Sequence, residues 1–216
     1  FLPSLLALLS LSGRYGIGSA LLLRRASILG CVDRSSLNVL ESSLFWFKDS
    51  RVEGEVSSDY DYQFYADRHR ETVYSAEKVL ALVKDIVPSI ESAVDFGCGV
   101  GTWLSVLRER GVSDVLGLDG PWVQAELLEI PESSFSRVDF EKKIELDRRF
   151  DLAISLEVAE HISERHAESF VDSLAGAANA ILFSAAIPDQ GGTGHVNEQW
   201  PDYWIEKFER RKFACI

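Results

Sequence analysis

The chain has 216 residues, 46% of them apolar and 26% charged, enough to bury one full hydrophobic core with a solvated surface around it. A formal net charge of -12 leaves little electrostatic support for a sequence-independent grip on phosphate backbones, which disfavours nucleic acid as a partner. Three cysteines, Cys31, Cys98 and Cys215, are odd in number and widely spaced, so neither a disulfide framework nor a zinc cluster is expected and a reducing, cytoplasmic setting follows.

The first 30 residues are rich in Leu, Ser and Gly, and the run from Phe1 to Leu9 has the apolar centre of a signal peptide but is too short to span a bilayer. A targeting remnant, an amphipathic docking helix and a non-native extension all fit it. The sequence starts at Phe1 and contains no methionine, which reads as a fragment or processed product. Residues 1–50 are accordingly expected to form an extension of unclear role. The polar, acidic stretch 51–63 reads as a linker, and 64–216 as the catalytic domain. Arginines in pairs, such as Arg24-Arg25, Arg148-Arg149 and Arg210-Arg211, read as solvated surface.

Within that domain, Ala76, Val79, Leu80, Leu82, Val83 and Ile86 recur at helical spacing and Pro88 ends the run. Strand-like stretches at 93–96, 114–118, 150–156 and 180–184 then alternate with helix-like ones at 102–110, 123–128 and 164–174. This alternation predicts an α/β fold with a mostly parallel sheet and helices on both faces. A further helix is expected after Pro201, and 212–216 begins another strand, so the sheet is expected to lack its last strand or strands.

Gly97, Gly99 and Gly101 fall in the first strand-to-helix turn, where open α/β sheets bind ligands, and the helix that follows offers oriented N–H groups. Asp119, followed by Gly120, ends the next strand, where an acid can accept hydrogen bonds from ribose hydroxyls. Glu157, Glu160 and His161 crowd five residues past the fourth strand; on a helical turn their spacing would place them on one face. His195 sits in a glycine-rich loop after the fifth strand, at the same edge of the sheet. Either histidine alone can serve as a general base, or the cluster can be a polar helix start with a loop anchor. His69 and His166 read as solvated helix-surface residues without a role, and Cys98 as a small loop residue. Trp200, Tyr203 and Trp204 can stack on a ring substrate or pack their helix on the sheet, and Tyr65 and Tyr74 can close over the cleft or pack.

Asp95 through Trp103 resembles motif I of the class I S-adenosylmethionine (SAM)-dependent methyltransferases, a Rossmann-like fold, with the acid two residues before the first glycine. The Gly-x-Gly-x-x-Gly of nicotinamide dehydrogenases fails here because position 102 is Thr102. The resemblance implies a SAM site made of Asp95, Gly97, Cys98, Gly99, Gly101, Asp119, Gly120, Asp139, Phe140 and Leu156, with Asp139-Phe140 beside the adenine. Glu-x-x-Glu-His with a later His resembles the divalent-metal site of small-RNA 2'-O-methyltransferases and ubiquinone-pathway O-methyltransferases. It implies Mg²⁺ or another divalent cation on Glu157, Glu160, His161 and His195, with Glu157, His161 and His195 as catalytic candidates. The expected reaction is O-methylation of a small molecule or glycan precursor. SAM binding without transfer and RNA 2'-O-methylation are the alternatives.

Overall fold

The computed structural model describes residues 7–11, 62–87 and 89–216. Most of the extension and the linker therefore lies outside the described residues. In chain order the elements are β1 (Ala7–Leu11), α1 (Tyr62–Ile86), β2 (Ser92–Phe96), α2 (Thr102–Glu109), β3 (Asp114–Asp119), β4 (Phe135–Arg137), β5 (Phe150–Leu156), α3 (Ala167–Ala177), β6 (Ala178–Ser184), α4 (Pro201–Glu209) and β7 (Phe213–Cys215).

Seven strands form one sheet in the order β4-β3-β2-β5-β6-β1-β7. The five from β4 to β6 run parallel, and β1 pairs antiparallel with both β6 and β7. The expected mostly parallel sheet is thus present, and the leucine-rich N-terminal stretch contributes a strand to it. In that sheet β1 lies between β6 and β7.

Side-chain alternation builds two cores. Val94, Phe96 and Ala153 face Phe170, Leu174, Trp204 and Phe208 of α3 and α4, while Ala93, Leu152 and Ile154 face Val79, Leu80 and Val83 of α1 and Leu104 and Leu107 of α2. Each helix shows the sheet one apolar stripe, and burial of both faces explains why β2 is buried at every position.

Two expectations are corrected. The helix expected over 123–128 is a single 3₁₀ turn, Ala125–Leu127. Glu129 gives its N–H to the Val100 carbonyl at 2.8 Å and Pro131 has none to give, so no helical ladder can continue there. The helix expected from Glu164 begins as a separate 3₁₀ turn and becomes α-helical only at Ala167. Strand β4 went undetected because three residues, Phe-Ser-Arg, are too few to show a period.

Candidate cofactor and acceptor site

A cleft of about 900 Å³ opens along the carboxyl ends of β2, β3 and β5. At its centre, Gly97 and Cys98 both donate N–H bonds to the Leu118 carbonyl, at 2.8 and 3.1 Å, which ties the glycine loop to β3. Gly97 takes φ 88°, and a Cβ there would run into the Val158 side chain; Gly101, at φ 87°, caps α2 against Ile130. Gly99 has nothing within 4 Å of its would-be Cβ. The loop therefore presents bare backbone to the cleft.

Asp119 ends β3, and its two oxygens accept N–H bonds from Gly99 at 2.7 Å and Gly120 at 2.6 Å. Burial raises its pKa, while those amides and the Trp122 side chain hold it down. Asp95 is almost wholly buried, its Oδ2 has no hydrogen-bond partner, and burial with the nearby Asp119 charge raises its pKa well above the usual carboxylate range. An unpaired carboxyl at the edge of a cleft is a place for a cation. SAM carries two, an ammonium and a sulfonium, so the residues present fit it.

Phe140 is buried edge-on to Phe170, with ring centres 5.7 Å apart, and lines the cleft with Asp139 and Leu156. Asp139 is half exposed and pairs with Lys142 at 3.0 Å. The Cys98 thiol is buried and its pKa is raised by that burial, so it stays protonated and packs against the Gly117 backbone.

At the other end, the arrangement expected for Glu157, Glu160 and His161 is corrected. Glu157 has a left-handed φ of 56°, and the turn after it, Ala159–His161, is 3₁₀, so the helical-face argument does not hold. The Glu157 carboxylate accepts from the Ser184 hydroxyl at 2.7 Å and the Gln190 amide at 3.3 Å. The three groups brought together are Glu160, His161 and His195, each with one ligand-capable atom within 4.8 Å of the others. The Glu160 carbonyl accepts N–H bonds from Val196 and Asn197, at 2.9 and 3.0 Å, pinning the glycine-rich loop onto this turn.

His161 Nδ1–H donates to the Gly194 carbonyl at 3.2 Å, which leaves its Nε2 with a lone pair, and His195 Nδ1–H donates to Glu198 at 2.8 Å. His195 Nε2 lies 4.0 Å from Glu160. Glu160 is fully buried with no hydrogen-bond partner at either oxygen, and its pKa is pushed up to about 8 by burial first and the Glu157 charge second. Burial and the facing His195 lower the pKa of His161, which keeps it neutral. A buried carboxylate and two imidazoles held by second hydrogen bonds are a donor set suited to a divalent cation.

Two residues that line the cleft were missed or dismissed in the sequence. His69 on α1 is not merely solvated: its Nδ1 shares a 3.0 Å hydrogen bond with the Thr102 hydroxyl, and its Nε2 lies 3.9 Å from Glu129. Trp122 follows Asp119 and Gly120 at the cleft mouth. A period argument finds neither of them, because each reaches the cleft through a turn or a packing angle. His166 bonds to Ser163, 3.1 Å away, and stays outside the cleft lining. Trp204 packs on Phe183, Tyr203 packs on Trp204, and Trp200 is exposed; none of the three lines the cleft. Tyr74 is half exposed and does not line it either, and the Tyr65 side chain lies outside the described residues.

A parallel sheet with a glycine loop after its central strand and an acid at the end of the next defines a nucleoside-cofactor enzyme. The chain belongs to the methyltransferase domain family, whose model matches residues 66–212. No curated protein matches the sequence. Among solved structures, a SAM-dependent methyltransferase from Archaeoglobus fulgidus is similar at 16% identity with TM-score 0.54, covering 71% of this chain and 75% of that one. SAM-bound CalS10, an amino pentose methyltransferase from Micromonospora echinaspora, is similar at 18% identity with TM-score 0.51, covering 70% and 67%. The small RNA methyltransferase HEN1 is similar at 18% identity with TM-score 0.51, covering 76% of this chain and 23% of that one. The chain spans about half the length of two further neighbours. It therefore carries a methyltransferase domain and shares its fold with SAM-dependent methyltransferases. Among the described residues no helix is long and apolar enough to cross a membrane.

Proposed function

We propose that this methyltransferase acts on a hydroxyl oxygen of a small molecule or glycan precursor, with a divalent cation held by Glu160, His161 and His195. SAM, when bound, supplies a methyl group on a positively charged sulfonium, and the acceptor oxygen must be aligned with it and lose one proton. The observation that carries the reading is Glu160, a fully buried carboxyl with no close hydrogen bond at either oxygen, beside two histidines whose Nδ1 atoms are already engaged. A cation there would lower the pKa of an acceptor hydroxyl.

Gly97, Gly99 and Gly101 leave room for the cofactor, Asp119 would accept from its ribose hydroxyls, Asp95 would face its ammonium, and Asp139 and Phe140 would flank its base. Cys98 and Leu156 complete that wall, and Gly120 lies behind it under the Trp122 ring, giving its N–H to Asp119. Glu157, buttressed by Ser184 and Gln190, adds negative charge next to Glu160. Two free thiols among the described residues, Cys98 and Cys215, accord with a reducing, cytoplasmic setting.

RNA 2'-O-methylation is the second reading, favoured by the Glu-x-x-Glu-His pattern and the fold shared with HEN1. The net charge of -12 opposes it, as do the six acidic residues and no Lys or Arg that line the cleft among the described residues. The deciding experiment follows S-adenosylhomocysteine release with panels of hydroxylated small acceptors and with RNA, before and after chelation, alongside elemental analysis. Loss of turnover on chelation, restored by Mg²⁺, Mn²⁺ or Zn²⁺, is expected with small acceptors. Full activity in excess chelator from a metal-free sample would leave His161 or His195 as a plain general base. Cofactor binding with no transfer to any acceptor would mean a SAM-binding protein.

A further inference from the structure

The backbone around His195 is pinned without help from its side chain. Gly194, just before it, accepts the His161 Nδ1–H through its carbonyl at 3.2 Å. Val196 and Asn197, just after it, give their N–H groups to the Glu160 carbonyl at 2.9 and 3.0 Å. These contacts fix where His195 leaves the loop. They do not fix where its ring points, because the side-chain torsions are still open.

Two further features close those torsions. Gly192, at φ 156°, lies so near the imidazole that a Cβ there would collide with Nε2, Cε1 and Cδ2. Glu198 accepts the His195 Nδ1–H at 2.8 Å with one oxygen and the Asp189 N–H at 3.1 Å with the other. Asp189 has a left-handed φ of 68°, so this carboxylate bridges the tight start of the loop to its end. The His195 side chain is 6% exposed, and water competes little for the hydrogen bond it gives to Glu198. Glu198 itself does not line the cleft. It reaches the site through His195, whose Nε2 lies 4.0 Å from Glu160.

Resting on the proposed cation at Glu160, His161 and His195, we propose that Glu198 is a positioning residue that turns the His195 imidazole toward that cation and thereby sets cation affinity. A ring nitrogen that donates to a carboxylate directs the opposite nitrogen at the metal, and loss of such a partner weakens a metal site ~10- to 100-fold. A plain clasp would instead act on the whole loop, whatever residue stood at 195. A double-mutant cycle separates the two roles.

The test is calorimetric titration of the whole chain with Zn²⁺, for which imidazole is a favoured ligand, and with Mg²⁺, which favours carboxylate and water. The parent is compared with Glu198→Ala, Glu198→Gln, His195→Ala and the double variant Glu198→Ala/His195→Ala. Glu198→Ala is expected to bind Zn²⁺ ~10- to 100-fold more weakly and to lose less for Mg²⁺, with circular dichroism and S-adenosylhomocysteine affinity unchanged. Glu198→Gln keeps one oxygen that can accept from His195; it is expected to lose less than the alanine variant, and it carries the same comparison if the alanine variant unfolds. In the His195→Ala background, Glu198→Ala is expected to add no further loss. Zn²⁺ affinity unchanged by removal of Glu198 would overturn the inference. The full loss repeated in the His195→Ala background would also overturn it, by making Glu198 a clasp of the loop. If the parent protein took up neither ion, the cation reading itself would fall and this inference with it.

Discussion

The two ends of the cleft solve the burial of a carboxyl in opposite ways. At the nucleoside end, Asp119 is paid off by backbone: Gly99 and Gly120 each give it an N–H, from segments the sheet already holds rigid. At the acceptor end, Glu160 is buried more deeply with no close hydrogen bond at either oxygen, only its own and the Ala186 amides favouring its charge, and its backbone carbonyl pulls in the loop that carries His195. The first arrangement is complete within the protein and needs a ligand only to bind. The second is electrostatically costly until a cation or proton arrives. Asp95 belongs with Glu160 in this respect although it lies beside Asp119, since its Oδ2 is also partnerless.

If the ends are independent, Glu160→Gln should separate them. Methyl transfer is expected to fall by about 100-fold or more, the scale of losing a cation ligand rather than an outer-shell partner, while S-adenosylhomocysteine affinity stays within about twofold. A matched loss of affinity would break the comparison and make the cleft one cooperative unit. A smaller effect is expected from Asp95→Asn. Because the folded-state pKa of Asp95 is raised, its contribution to stability is fully present below the unfolded value near 3.9 and is lost as pH rises through the higher folded value. The ligand-free Asn variant should therefore melt higher than the parent at pH 8, and the gap should narrow at pH 5. It should also bind S-adenosylhomocysteine ~10-fold more weakly, the cost of one charged hydrogen bond. Thermal melts at the two pH values and calorimetry check both halves.

The difference between the ends also decides what the sequence could show. The nucleoside end is nearly contiguous: Asp95 lies in β2, the three glycines follow that strand and Asp119 ends β3, so glycine spacing, a strand end and the motif I resemblance were enough to single them out as candidates. At the acceptor end, Glu160, His161 and His195 were found by residue type, but the helical face assigned to Glu157 was wrong. The left-handed φ at Glu157 and the 3₁₀ turn after it come from the Ser184 contact across to β6, which no local pattern encodes. His69 was lost for a related reason. Its polar neighbours in sequence suggest a solvated face, whereas the tilt of α1 against α2 lays it beside Thr102. Strand β1 likewise depends on long-range pairing with β6 and β7, and a leucine-rich run carries no sign of its partner.

The smallest effect is expected far from either end, where α3 meets α4. Glu168 accepts from Lys207 at 2.7 Å, Arg210 at 3.0 Å and Arg211 at 2.9 Å, and Lys207 first, with Arg211, holds its pKa down at about 2. Its side chain is nearly half exposed, so solvent screening limits the network to roughly 1 kcal/mol despite three partners. Glu168→Gln should lower Tm by about 2–4 °C at pH 7, the shift that such an energy produces in a domain of this size. A depressed carboxyl contributes above its unfolded pKa, near 4.3, and loses that contribution as pH falls toward 2. The Tm gap between parent and variant should accordingly hold from pH 7 to pH 5, shrink below pH 4, and shrink also in 1 M salt, where the screening length is about 3 Å. Catalysis and cofactor affinity should not change. A loss of turnover in this variant would show that the α3–α4 contact positions the His195 loop, and the acceptor end would then depend on the helical layer beneath it as well as on the Glu160 turn.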